Sequence, residues 1–166
     1  MTFEEIVELI SSEFGEEVIL EKDLTSSPES LFVPVDQVAK ICRFLYEHEA
    51  TYFDFLSCLT AIDNGPQINT MEVVYNLYSI PFDHHLMLKV VVPRNEEGKA
   101  LPEVPSVSHI WRTADWHERE AFDLVGIAFK NHPDLRRILL PADWKGNPLR
   151  KDYQDLETYH GIKVEY

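Results

Sequence analysis

Cysteine is nearly absent from this chain: only Cys42 and Cys58 occur in 166 residues. Two thiols build no disulfide framework and fall short of the usual ligand set of an iron–sulfur cluster, unless a partner lends ligands. Both read as small buried hydrophobes in a reducing compartment. Glycine is scarce and scattered. The six glycines, at 15, 65, 98, 126, 146 and 161, are isolated from one another. No Gly-rich turn lets the backbone approach a phosphate, which excludes both a dinucleotide fingerprint and a P-loop. No apolar run approaches the roughly 18 residues of a membrane span. The acidic, amphipathic start, Met-Thr-Phe-Glu-Glu-Ile, resembles neither a signal nor a transit peptide. Internal repeats, low-complexity tracts and a Gly-x-Ser-x-Gly nucleophile motif are missing as well. The expected setting is the cytosol or the cytosolic side of a membrane.

Basic charge is the other shortage, with 15 Lys and Arg against 29 Asp and Glu, a net charge of −14. It is unevenly spread. Residues 1–110 carry 19 acids and 6 bases, whereas residues 111–152 carry 7 acids and 8 bases. A strongly acidic body argues against free nucleic-acid binding, which needs a basic face. The mixed-charge segment is where function is to be sought.

The length suits one domain with a sizeable core, and the 45% hydrophobic content is ordinary for a soluble one. Thr2 and Glu5 form a capping box, followed at helical spacing by Phe3, Ile6, Leu9 or Ile10, and Phe14, with Gly15 as the stop. Short strands are expected at 18–20 and 31–33, and Asp36 is expected to cap a second helix carrying Val38, Ile41 and Leu45. Three strands follow, at 52–62, 71–79 and 85–92, with turn signals between them that favour antiparallel pairing. A longer helix is expected from after Ser106 to Gly126. At 100° per residue, Glu118 falls within its apolar stripe, while Trp116 projects among Arg112, Arg119, Glu120 and Asp123. A strand at 127–129 and two helical turns from Pro133 through Leu140 come next. Residues 1–140 thus read as one domain and 141–166 as an extended tail.

Several chemistries compete for these residues. His117 and Glu120 stand i, i+3 on one helix, but a carboxylate-bridged metal site needs that motif twice, and a zincin needs His-Glu-x-x-His. Neither occurs, and the plainer reading is a helix face laced with ion pairs. Acid–base work by His132 with Asp134 or Asp152 competes with simple capping at a His-Pro step. The basic pairs Arg136-Arg137 and Arg150-Lys151 suit an acidic neighbour. A carboxylate inside an apolar face must be paired or it costs several kcal/mol, so Arg136 or Arg137 is expected to turn inward onto Glu118. Trp116 outside, on a charged face, looks like a partner-binding anchor.

Three runs carry a specific resemblance: Glu118-Arg119-Glu120-x-x-Asp123-Leu124-Val125-Gly126, His132-Pro133-Asp134-Leu135-Arg136-Arg137-Ile138-Leu139, and Gly146-x-Pro148-Leu149-Arg150-Lys151-Asp152. Together they resemble the C subunit of respiratory complex I, the thirty-kilodalton-class subunit of NADH–quinone oxidoreductase. The likeness extends more weakly to Trp111, Ala114, Trp116 and the stretch at 56–63. Asn147 and Gln154 depart from the family's habit.

The resemblance implies an α+β domain, a small mixed or antiparallel sheet packed against helices. It also implies a non-catalytic structural subunit of the hydrophilic arm, with the tail lying on the quinone-site D subunit beside the cluster-bearing B subunit. FMN, iron–sulfur clusters, NADH and quinone would belong to other subunits, with no cofactor or metal on this chain. The chain would be peripheral, on the cytoplasmic side of the bacterial inner membrane, and reach the membrane only through the complex. Its end at Tyr166 reads as the separate subunit, not a fused form. The interface set implied by this resemblance is Trp116, Glu118, Arg119, Glu120, Asp123, Gly126, His132, Pro133, Arg136, Arg137, Pro148, Leu149, Arg150, Lys151 and Asp152. Open alternatives are the matching subunit of a related membrane-bound hydrogenase or dehydrogenase, a stand-alone hydrolase or lyase using His117, Glu120, His132 and Asp134, and a binding adaptor unrelated to respiration.

Overall fold

In the computed structural model, which describes residues 1–96 and 98–164, local signals near the N-terminus act as written. Residue 97, in a stretch at 95–99 whose sequence reads as a solvated loop, and residues 165 and 166 of the expected tail lie outside the described residues. Helix α1 spans Phe3–Phe14. The Glu5 N–H donates to Thr2 Oγ1 at 3.3 Å and the Thr2 N–H to Glu5 Oε2 at 2.8 Å, which closes the capping box. Gly15 ends the helix at a φ of 93°, a conformation that side chains disfavour. The expected strand at 18–20 is instead a single 3₁₀ turn over Glu16–Val18, leading to β1 at Glu21–Asp23. Strand β2 follows at Ser30–Phe32 and helix α2 at Val38–Glu47. Gln37, not Asp36, is the α2 N-cap, and it makes no side-chain capping bond.

Strands β3 (Phe55–Asp63), β4 (Thr70–Ser79) and β5 (His84–Pro93) form an antiparallel meander. The complete sheet runs β1-β2-β5-β4-β3, and it is mixed because β2 lies parallel to β5. Period-two alternation decides its buried face. Met71, Val73, Tyr75 and Leu77 of β4, with Leu86, Leu88, Val90 and Val92 of β5, face the core. Ile6 and Ile10 of α1 and Ile41 and Leu45 of α2 join the same cluster. Each such side chain contributes roughly 1.5–3 kcal/mol by leaving water.

The second half departs from expectation in two places. Residues 106–112 are not helical. A short strand β6, Glu103–Pro105, precedes them, and helix α3 runs only from Thr113 to Leu124. Val107 and Trp111 are still buried, but from a turn, with the Trp111 indole N–H donating to the Phe53 carbonyl at 3.0 Å. Strand β7, Ala128–Lys130, pairs in parallel with β6, so α3 is the crossover between them. Residues 133–140 form no helix. The backbone N–H groups of Ile138, Leu139 and Leu140 find a side-chain acceptor instead. Two short strands, β8 (Thr158–Tyr159) and β9 (Ile162–Lys163), close the described chain. The class is α+β.

Candidate functional site

Helix α3 is buried on two faces, and each face hides a carboxylate. Glu118 is fully buried toward the sheet side, as the helical arithmetic required. No arginine reaches it, contrary to expectation. The Ser106 hydroxyl donates to Glu118 Oε2 at 2.6 Å and the Val107 N–H to Oε1 at 2.7 Å. Burial outweighs these two bonds and pushes its pKa up to about 7. The buried His132 ring stands 3.9 Å away through Nε2, which donates to the Asp115 carbonyl at 3.1 Å. His132 Nδ1 accepts the Asp134 N–H at 3.0 Å, a pattern that assigns the ring proton to Nε2.

The arginine meant for Glu118 serves Asp123. Five residues on is 140° around the helix, and Asp123, expected on the charged outer face, is fully buried. Arg137 Nη1 donates to Asp123 Oδ1 at 2.6 Å. The backbone N–H groups of Ile138, Leu139 and Leu140 all donate to Oδ2, at 3.0, 2.8 and 2.9 Å. Desolvation alone would raise this carboxyl, but the four donors prevail and hold it below the ordinary carboxylate range. The helix expected at 133–140 fails for the same reason: the carboxylate satisfies three successive amides that a helix would have used itself.

Arg137 also binds the tail, donating through Nη2 to the carbonyls of Trp144 and Gly146 at 3.1 and 3.0 Å. Arg119, likewise expected outside, is buried and donates to the carbonyls of Arg136 and Arg137 at 3.3 and 3.4 Å. Its guanidinium lies 5.5 Å from the centre of the Trp116 ring. Trp116 itself is 62% exposed, as its helical position required. Arg136 stays outside in an exposed pair with Asp134, which contributes little.

The last run is stitched down by a third set of contacts. The Leu149 N–H donates to the Leu124 carbonyl at 2.9 Å. Arg150 donates to the carbonyls of Val125 and Gly126 and to Asn95 Oδ1, at 2.8, 3.2 and 2.8 Å. Gly126 adopts a φ of 81°, and a Cβ there would come within 2.6 Å of Asn147 Oδ1 and 2.7 Å of Arg150 Nη2. Only glycine fits. The Lys151 N–H donates to the buried Asp63 at 2.8 Å, and Arg94 joins Asp63 to Asp152. Asp63 and Arg94 were not expected as anchors. Asp63 ends the 56–63 stretch of the weak resemblance, and Arg94 carried no sequence signal.

The residues of the hydrolase reading do not converge. His117 Nδ1 accepts the Leu59 N–H at 3.2 Å, His132 has both ring nitrogens committed, and Asp134 faces Arg136. Glu120, Pro133 and Leu149 are exposed, and Pro148 is half-buried. Among the described residues no three His, Cys, Asp or Glu groups are placed to hold a metal. No described helix is long and apolar enough to cross a membrane.

Residues 31–159 match the model of a family described as respiratory-chain NADH dehydrogenase, 30 Kd subunit. The C subunit of the NADH-quinone oxidoreductase of Chloroherpeton thalassium is 44% identical over 162 residues, covering 95% of this chain and 63% of that protein. This chain therefore spans under two thirds of that relative's length. The corresponding C subunit of Chlorobium phaeobacteroides is 41% identical over 160 residues, with 96% and 93% covered. Among solved structures, a chain of the membrane-bound sulfane sulfur reductase, an archaeal respiratory membrane complex, superposes with a TM-score of 0.73. It is 27% identical, and 92% of this chain and 86% of that one are covered.

Proposed function

The chain belongs to the respiratory-chain NADH dehydrogenase 30 Kd subunit family, and from that membership we propose that it is a structural subunit of a proton-translocating NADH–quinone oxidoreductase. It has no catalytic centre of its own. It sits in the hydrophilic arm, peripheral, on the cytoplasmic side of the bacterial inner membrane. It supports the quinone-site D subunit, with the cluster-bearing B subunit adjacent, while FMN, iron–sulfur clusters, NADH and quinone are held on other subunits. Residues 111–166 supply the contact, with the tail from 141 onward laid along the partner and Trp116 as an anchor.

One observation carries the structural role. Asp123, Arg119, Arg137, Arg150 and His132, the polar core of the hallmark runs, spend most of their hydrogen bonds on backbone groups of this same chain and the rest on Asp123–Arg137 and Arg150–Asn95 contacts. Side chains committed in this way shape a surface and are not free to move protons for a substrate. The solved relative in a sulfane sulfur reductase favours a second setting, the equivalent subunit of another membrane-bound respiratory complex. The identities of 41% and 44% to NADH-quinone oxidoreductase subunits weigh toward the first.

The test is recovery of the tagged chain from its native membranes. A large complex with NADH–quinone reductase activity is expected. A monomer that turns over a substrate unaided, or a complex reduced by another donor and not by NADH, would sink the reading.

A further inference from the structure

A cavity of about 560 Å³ opens between the loop after β5 and the tail. Its described lining holds four cations, Arg94, Lys99, Lys145 and Arg150, against one carboxylate, Asp152. Even with Asp63 counted behind Arg94, two positive charges stay uncompensated among the described residues there, in a chain of net charge −14. Arg150 is half-buried among them. Its Nε and Nη2 donate only to neutral oxygens, and Nη1 has no acceptor among the described residues. Burial, reinforced by Arg94, disfavours its charge and pulls its pKa down. An anion arriving at this half-desolvated guanidinium gains the charge-assisted donors of Nη1 and relieves that cost. The bonds from Arg150 to Val125, Gly126 and Asn95 hold the guanidinium in place.

Two features select the kind of anion. The glycines on the lining, Gly98 and Gly146, stand singly, so among the described residues there is no Gly-rich run of amides to cradle a phosphate. Leu101, Tyr153 and Leu156 supply an apolar wall beside the cations, in a volume larger than a lone inorganic anion needs.

We propose that this cavity receives an acidic–apolar peptide segment of a partner subunit. A Glu or Asp carboxylate meets Arg150 between Lys99 and Lys145, and the neighbouring apolar side chain lies on the leucine and tyrosine wall. The inference rests on the subunit reading above and adds to it where the partner's acid inserts.

The test is the double variant K99E/K145E in the tagged chain, expressed in its own complex. Neither lysine side chain has a described hydrogen bond or ion pair, so the purified variant should melt like the wild type. Its retention in the complex should fall roughly tenfold or more, since like charges brought together oppose binding strongly. In the wild-type complex, a zero-length carbodiimide should join Lys99 or Lys145 to a carboxylate of another chain. Retention equal to wild type overturns the proposal, as do cross-links confined to this chain. So does a purified chain that binds inorganic phosphate more tightly than the peptide acetyl-Leu-Glu-Glu-Leu-amide. If the wild-type chain enters no complex at all, the subunit reading fails first, and that result is distinct from an unaffected variant.

Discussion

The meander with α1 and α2 and the segment from Glu118 to Asp152 are held by opposite means. The first is closed by apolar burial: Ile10, Ile41, Leu45, Tyr75, Leu86 and Leu88 expose essentially nothing, and alternation along β4 and β5 sorts inside from outside. The second has little periodic structure after Leu124 and is closed by charge-assisted bonds from a few side chains to many backbone groups. Asp123, Arg137 and Arg150 alone engage the backbone at 123, 125, 126, 138–140, 144 and 146. A core of leucines tolerates similar volumes. A carboxylate that satisfies three amides and a guanidinium tolerates no substitute.

That contrast is sharpest at Asp123. Asp123→Ala should cost about 3–5 kcal/mol, the range for breaking a buried pair, because it strands Arg137 and three amides together. Urea unfolding would measure the loss. Hydrogen exchange should show residues 137–150 opening while β4 and β5 stay protected. Uniform loss of protection would mean that the two regions are one cooperative unit. The lowered pKa values of Asp123 and Asp63 add a pH dependence. Their stabilisation is present above the unfolded carboxylate value and is lost as pH falls through the folded one.

Leu88→Ala is the reciprocal test. A fully buried leucine in β5 should cost about 3 kcal/mol, as transfer plus cavity terms do elsewhere. The whole domain should then unfold at lower denaturant, with no selective fraying of the C-terminal segment.

Which of these arrangements could be read in advance follows from range. The capping box of α1, its glycine stop and the faces of β4 and β5 are local patterns, and all are present in the fold. Burial of Glu118 and exposure of Trp116 also follow from helical spacing, although α3 begins at Thr113 and not near Ser106. The partner of Glu118 did not follow. A serine hydroxyl and an amide from the turn at 106–107 replaced the arginine, because that turn and not a helix faces it. Asp123 was misplaced for a related reason: spacing shows one apolar stripe, whereas the second buried face is made by aperiodic backbone at 136–147. The ties from Arg94 to Asp63 and Asp152 join residues 31 and 58 positions apart, beyond any local pattern.

Glu118 offers an opposite pH effect. Its folded pKa of about 7 stands above the ordinary 4.5, so the folded chain keeps a proton that the unfolded chain releases. Its contribution to stability is fully present below the unfolded value and declines as pH rises from there to about 7. Glu118→Gln should flatten that decline, a slope of at most about 1.4 kcal/mol per pH unit for one proton. Thermal melts from about pH 4 to 8, spanning the interval between the two pKa values, would show it. An unchanged slope would mean that Glu118 ionises freely in the fold.

The smallest effect on the fold is expected at Trp116, and it separates the two regions by function. Its indole is mostly in water, touching Arg119 through one cation–π contact, so Trp116→Ala should change unfolding free energy by less than about 1 kcal/mol. If the α3 face meets another subunit as proposed, the same substitution should weaken retention in the complex by about 2 kcal/mol or more, the scale of an interface anchor. Trp116→Phe should recover part of that retention. Equal losses in stability and assembly would return Trp116 to the packing of Arg119, and unaltered assembly would move the interface off this face of the helix.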